Sequence, residues 1–130
     1  MTTAKEVVES YSIALSKGDI SLAFSHFSPS AKWHQPGSNR FSGTKNGLDE
    51  IGKMLSEMME VSQGSLTIKP TGAMMVNGGL VSCPVSFSAH KGEISIGMNG
   101  NDLYEVVDGK IVQVWLFSED QSAEDNFWGK

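Results

Sequence analysis

The dipeptide Asp108-Gly109, set between the apolar runs Leu103–Val107 and Ile111–Phe117, constrains this chain more than any other feature. A tight two-residue turn needs positive φ at both positions, which Asp followed by Gly tolerates. The two runs are therefore expected to pair as antiparallel strands. Ile111–Phe117 is apolar on both of its faces, so both should be covered. That strand then delivers Glu119 and Asp120 at its end. A carboxyl carried by an apolar strand into a covered cavity has a raised pKa and can move protons near neutral pH. Asp120 equally stands where the following segment, Gln121–Trp128, needs a helix N-cap.

Upstream the periodicity is helical. Val7, Val8, Tyr11, Ala14 and Leu15 recur at helix spacing from about Thr3 to Ser16, and Lys17-Gly18 stops the run. Asp19 reads as the N-cap of a short second helix carrying Leu22, Ala23 and Phe27, ended by Ser28-Pro29-Ser30. A short strand follows from Ala31 to Gln35, broken by Pro36-Gly37. After a loop, Thr44 is placed to cap a third helix with Leu48, Ile51, Leu55 and Met58 on its buried stripe. From Ser65 onward the pattern is β: Leu66–Met75, Leu80–His90, Ile94–Val107 and the strand after the hairpin. Asn77-Gly78-Gly79 and Lys91-Gly92 supply the turns, and Gly97 and Gly100 suggest a bulge or bend in the third long strand. The order predicts one α+β domain over residues 1–130: three N-terminal helices packed in a curved, mostly antiparallel sheet, with a pocket at the wide end of the resulting cone.

With 130 residues the chain is large enough for one core and one enclosed pocket. Its formal charge of −5 and scattered basic residues give no footprint for nucleic acid or an acidic membrane. Cys83 is alone, which suits a reducing compartment, and the opening residues hold no apolar signal core, so a cytoplasmic location is expected. The three histidines are far apart in sequence and form no HExxH word, so neither a metal nor a cofactor is expected. His26 and His90 read as surface residues, and Cys83 beside Pro84 as a buried apolar one. Arg40 is the single arginine.

Several words, in this order, make the chain resemble the NTF2-like superfamily. They are Val7-Val8-x-x-Tyr11 through Lys17-Gly18-Asp19, then Trp33-His34-Gln35-Pro36-Gly37 with Gly43, then Val85-Ser86-Phe87. Asp108-Gly109-Lys110-Ile111 with Trp115, and Asp120 with Asp125-x-Phe127-Trp128, complete the set. Within the superfamily the chain is similar to the SnoaL-like polyketide cyclases and, more distantly, the bacterial ketosteroid isomerases. The isomerase resemblance implies that Tyr11 and a protonated Asp102 form an oxyanion hole. It puts Gln35, which has no usable basicity, where those enzymes carry their general-base aspartate. The cyclase resemblance implies a His-x-Pro word at His34-Gln35-Pro36 and an acid/base at Asp120, or at Glu119 if the register slips by one.

Strand parity bears on these choices. If Asp102 faces the pocket, so do Tyr104 and Val106, and on the hairpin partner Val112, Val114, Leu116, Ser118 and Asp120. Trp115, Phe117 and Glu119 then fall on the convex face, an apolar surface that a second copy of the chain would cover. A bulge before Asp120 would reverse the choice between it and Glu119. His34 and Gln35 cannot both face inward, and the His-x-Pro word favours His34. Met54, Met58 and Met98 would give an adaptable lining for a bulky hydrophobic ligand. Trp33, Gln35, Phe87, Tyr104, Val114, Leu116 and Ser118 would complete the wall. Each candidate also has a plainer role: Tyr11 as a locally satisfied core tyrosine, Asp102 as a turn residue after Asn99-Gly100-Asn101, and His34 as a half-exposed strand histidine.

The function these expectations favour is a cofactor-independent cyclase or isomerase acting on a hydrophobic, oxygenated small molecule, polyketide- or terpenoid-like, in secondary metabolism. Asp120 would move the proton, while His34, Tyr11 and Asp102 would stabilise the developing enolate or alkoxide. Epoxide opening is a second reading, although the related Asp-Arg-Asp arrangement would need an arginine where this chain has none. A non-catalytic binding domain of the same fold is the third, since one fold hosts many activities.

Overall fold

In the computed structural model, which describes residues 2–130, eleven elements follow one another. The first are α1 (Ala4–Ser16), α2 (Ile20–Phe24), β1 (Phe27–Gln35), β2 (Gly43–Asn46) and α3 (Gly47–Val61). Then come β3 (Thr67–Pro70), β4 (Met75–Asn77), β5 (Leu80–Lys91), β6 (Ile94–Val107), β7 (Lys110–Ser118) and α4 (Gln121–Trp128). The strands form one curved sheet in the order β2-β1-β7-β6-β5-β3, with β4 also on β5, and only β1 and β7 run parallel. The fold is the expected α+β cone, with α1 packed on α2 and on β5, β6 and β7, α3 on β1 and β2, and α4 on β6.

Local chemistry accounts for most boundaries. Thr3 and Glu6 close a reciprocal capping box on α1, and Asp19 accepts the Leu22 N–H at the start of α2. Asp108 and Gly109 both take positive φ, 51° and 79°, as the turn from β6 to β7 requires. The core forms where helix stripe and concave face meet. The Tyr11 ring lies edge-on to Phe27 at 5.1 Å and to Tyr104 at 5.8 Å, above the fully buried Val81, Ile111 and Val114.

Three boundaries differ from expectation. Phe27 does not end the second helix but opens β1, which runs on through Ser28-Pro29-Ser30. Pro29 has no N–H to give, and the β1–β7 register shifts between Phe27 and Lys32 so that the ladder passes over it. Thr44 does not cap α3: residues 43–46 pair with β1 and Asn46 takes the cap position, its N–H bonded to Glu50 instead. The expected Leu66–Met75 strand is two short ones, interrupted after Pro70, both paired with β5. No helix among the described residues is long and apolar enough to cross a membrane.

Candidate active site

Hydrogen-bond register sorts the concave face into rows. Deepest is Trp33–Val114–Tyr104–Val81, across β1, β7, β6 and β5. One step outward, Leu116, Asp102 and Cys83 lie side by side, and continuing the β1–β7 pairing brings Gln35 next to Leu116. The next row is Ser118–Gly100–Val85. Successive strands are about 4.8 Å apart, so Gln35 and Asp102 flank Leu116 from backbones roughly 10 Å apart. The cleft above these rows has a cavity volume of about 60 Å³, below the roughly 300–1,000 Å³ of fully formed small-molecule sites. It is a slot rather than an open bowl. Its walls are mostly apolar: Leu55 and Met58 from α3, Leu66 and Ile68 by β3, Phe87 from β5 and Trp128 from α4.

Polar groups in the slot are few. Asp102 is 8% exposed, and its only side-chain hydrogen bond among the described residues is a long one, 3.5 Å, from the Tyr104 hydroxyl to Oδ2. Burial raises its pKa from the ordinary 3.8 to about 7. The Tyr104 hydrogen bond opposes the rise, and the charge of Glu124 adds to it. Burial first, and the nearby Asp102 second, raise the phenols of Tyr11 and Tyr104 and the thiol of Cys83. Gln35 is buried, and its Oε1 accepts the Trp33 indole N–H at 2.9 Å. That bond fixes the amide so that its NH₂ is the group left for a ligand. Gly100 is bare for steric reasons: a Cβ there would sit 2.6 Å from the Phe117 carbonyl oxygen and 3.7 Å from Phe87 and Val85.

Of the residues expected at the site, Asp102, Trp33, Gln35, Met58, Phe87, Leu116 and Ser118 line the slot. Tyr104, Val114 and Met54 are buried beneath or beside it and do not line it. Met98 also lies outside, its sulfur accepting the Asp120 N–H at 3.4 Å. Tyr11 belongs to the core behind Asp102, close enough to feel its charge, but is not a wall residue.

Three placements are corrected. Asp120 is exposed and outside the slot, its Oδ1 accepting the Ala123 N–H at 3.1 Å as the N-cap of α4. The parity argument fails there because β7 ends at Ser118 and the chain turns into the helix. A bulge between Glu105 and Val106 also puts Ile111, not Val112, on the inner face. His34 points to the convex side, stacked on Trp115 at 5.2 Å and bonded to Thr44 and Gln113, so Gln35 is the inward residue. Arg40 does not line the slot either; its guanidinium lies 5.6 Å from the Phe41 ring centroid.

Sequence reading missed Glu124. This residue is 5% exposed, lines the slot and accepts hydrogen bonds from Ser118 Oγ (2.6 Å), Gln121 Nε2 (3.0 Å) and Trp128 Nε1 (3.2 Å). Its spacing to Phe127 and Trp128, three and four residues on, marks a carboxyl on the apolar stripe of a terminal helix, a signal present in the sequence. Asp125 on the next position holds α4 to the loop after β1, accepting from Ser38 and from Asn39 Nδ2 at 2.8 Å; that last bond is the main cause of its lowered pKa.

A curved sheet closed by helices around an apolar slot with a buried acid is the architecture of an NTF2-like protein. Residues 7–114 match the SnoaL-like domain model, and the chain belongs to that family. It is 41% identical, with TM-score 0.93, to a protein of unknown function with a cystatin-like fold from Xanthomonas campestris, covering 98% of this chain and 99% of that one. An NTF2-like protein from Burkholderia thailandensis aligns over 100% of both chains at 19% identity and TM-score 0.85. TerC, co-crystallised with polyporic acid, aligns over 95% of this chain and 96% of that one at 18% identity and TM-score 0.83. The last two likenesses are of fold alone. No functionally curated protein matches the chain.

Proposed function

We propose that this protein is a cofactor-independent acid/base enzyme, a cyclase or isomerase acting on a hydrophobic, oxygenated small molecule of secondary metabolism. The observation that carries the reading is Asp102, a buried carboxyl with a pKa of about 7 on the wall of an apolar slot. At neutral pH such a group is divided between base and acid forms, the condition in which it can both take and return a proton. Its carboxylate would remove a proton from carbon next to a substrate carbonyl. The enolate oxygen would accept a hydrogen bond from the Gln35 NH₂ across Leu116. Return of the proton to another carbon of the conjugated system gives an isomer. Attack of the enolate carbon on a second carbonyl of the same molecule, with the proton passing to the new alkoxide, closes a ring. Both outcomes conserve atoms and need no redox partner.

The apolar walls of the slot support this substrate class. Opening an epoxide through an arginine-centred carboxylate set has no support, because Arg40 does not line the slot and its guanidinium lies over the Phe41 ring. A homodimer through the convex face belongs to the same proposal: Phe117, whose backbone carbonyl borders the slot beside Gly100, is 56% exposed two positions on from Trp115 in β7. The test of function is hydrogen exchange at carbon. In D₂O the protein should speed loss of the α-hydrogens of a flat bicyclic ketone such as 2-tetralone above the buffer rate, read by NMR. Asp102→Asn should lower that rate by roughly 10²–10⁴-fold. An Asp102→Asn variant that exchanges as fast as the wild type would remove Asp102 from the mechanism.

A further inference from the structure

Among the described residues the slot carries two carboxyl groups and no partner of opposite charge. Asp102 and Glu124 line it, and no lysine, arginine or histidine does. Three basic groups make contacts elsewhere: Arg40 over the Phe41 ring, Lys91 over the Phe127 ring at 5.2 Å, and Lys45 on the Ser42 carbonyl. Glu124 is held in place by three neutral donors, two on Oε1 and one on Oε2, so both its oxygens are acceptors. Its donor Ser118 pairs across the strands with Gly100, two residues along β6 from Asp102. Gly100 adds no side chain to that row, where Val85 and Phe87 come within 3.7 Å of the position its Cβ would take, and Glu124 lines the same slot as Asp102. Any ligand reaching Asp102 therefore passes into the field of a desolvated carboxylate in an apolar slot. There a charge acts far more strongly than in water.

We propose that Glu124 is a specificity-determining residue, a charge filter that confines the slot to uncharged ligands or ligand groups and turns away carboxylates of the same shape. This rests on the slot being the ligand site, as the proposed function has it, but not on any reaction occurring there. A donor-bearing or neutral group meets Asp102 and Gln35 with its hydrogen bonds satisfied. An anion meets Glu124 with no cation to offset the repulsion and loses its hydration as well.

Three probes of one ring size separate sign of charge from shape: methyl 2-naphthoate, 2-naphthoate and 2-naphthylmethylammonium. The readout is the indole N–H signals of the protein in ¹⁵N-labelled form. Trp33 and Trp128 line the slot, whereas Trp115 lies on the convex face and serves as the internal control. In the wild type the ester should shift Trp33 and Trp128 and leave Trp115 in place. The carboxylate should bind at least about tenfold more weakly, the scale expected of like charges several ångströms apart inside a protein. The ammonium should bind no more weakly than the ester. In Glu124→Gln the ester should bind within about threefold of wild type, and the gap between ester and carboxylate should fall to about threefold or less.

Equal binding of ester and carboxylate to the wild type overturns the filter. So does rejection of the ammonium as strong as that of the carboxylate, since simple desolvation would then explain both; this comparison needs no variant to fold. An unchanged gap in a folded Glu124→Gln protein overturns the assignment to Glu124. In each of these cases the Trp33 and Trp128 shifts with ester still report a ligand slot. If no probe moves them at any soluble concentration, the slot reading fails first and the filter falls with it.

Discussion

Asp102→Asn is the perturbation that reads the site most directly, because it also changes stability in a pH-dependent way. Each pKa unit between folded and unfolded states is worth about 1.4 kcal/mol. The Asp102 carboxyl goes from its ordinary 3.8 to about 7 in the fold, so the folded protein binds that proton more tightly than the unfolded chain does. The sign follows: stability is greatest below about pH 4, where the group is protonated in both states. It falls as pH rises toward 7 and is level above that. At 8% exposure solvent screens little of this, and the full cost approaches about 4 kcal/mol at pH 8. Asparagine keeps the shape and cannot ionise. Urea unfolding at pH 4 should therefore give wild type and variant within about 1 kcal/mol of each other, the scale of one altered hydrogen bond. At pH 8 the variant should be the more stable, by up to about 4 kcal/mol. Taking the difference between the two proteins removes groups such as Glu6 and Asp125, whose lowered pKa values act in the opposite sense in both. A difference that stays constant from pH 4 to pH 8 would refute the reasoning, because Asp102 would then ionise as it does in the unfolded chain.

Asp120→Ala should cost about 1 kcal/mol, as the loss of an N-cap does, while Asp120→Asn should leave both melting temperature and α-hydrogen exchange near wild type. His34→Ala should likewise leave exchange unchanged, since the ring is on the far side of the sheet; a hundredfold loss would return it to the mechanism. Gly37→Ala should destabilise by more than about 1 kcal/mol in thermal unfolding, because the residue has φ +84° and an added Cβ would meet the Gln121 and Asp125 side chains that hold α4. Sedimentation should show a dimer at micromolar concentration that Phe117→Glu dissociates, and a wild-type monomer would remove the convex-face interface.

Much of this arrangement was legible as local chemistry. Asp108-Gly109 can be little but a tight turn, because few other pairs accept positive φ twice in succession. Capping by Asp19 follows from one side-chain oxygen reaching a nearby N–H, a contact that needs no other part of the chain. Period-two alternation put Asp102, Tyr104 and Val106 on one face together with Val114, Leu116 and Ser118. Alternation is rigid only while a strand lasts, so it misplaced Asp120 two residues beyond the end of β7 and Val112 at a bulge.

What the tertiary structure alone decided was which of two adjacent residues faces inward and which distant groups meet. The parallel pairing of β1 with β7 turned Gln35 into the slot and His34 onto Trp115, a choice made by a strand some eighty positions away. The edge of β1 likewise drew residues 43–46 into a strand where their local signal read as a helix cap. Glu124 reaches the slot only because α4 folds back over the sheet, where Ser118 and the loop held by Asp125 receive it. The raised pKa of Asp102 has the same origin. A sequence can put a carboxyl on a strand face, but removing the water around it takes every element that closes over that face.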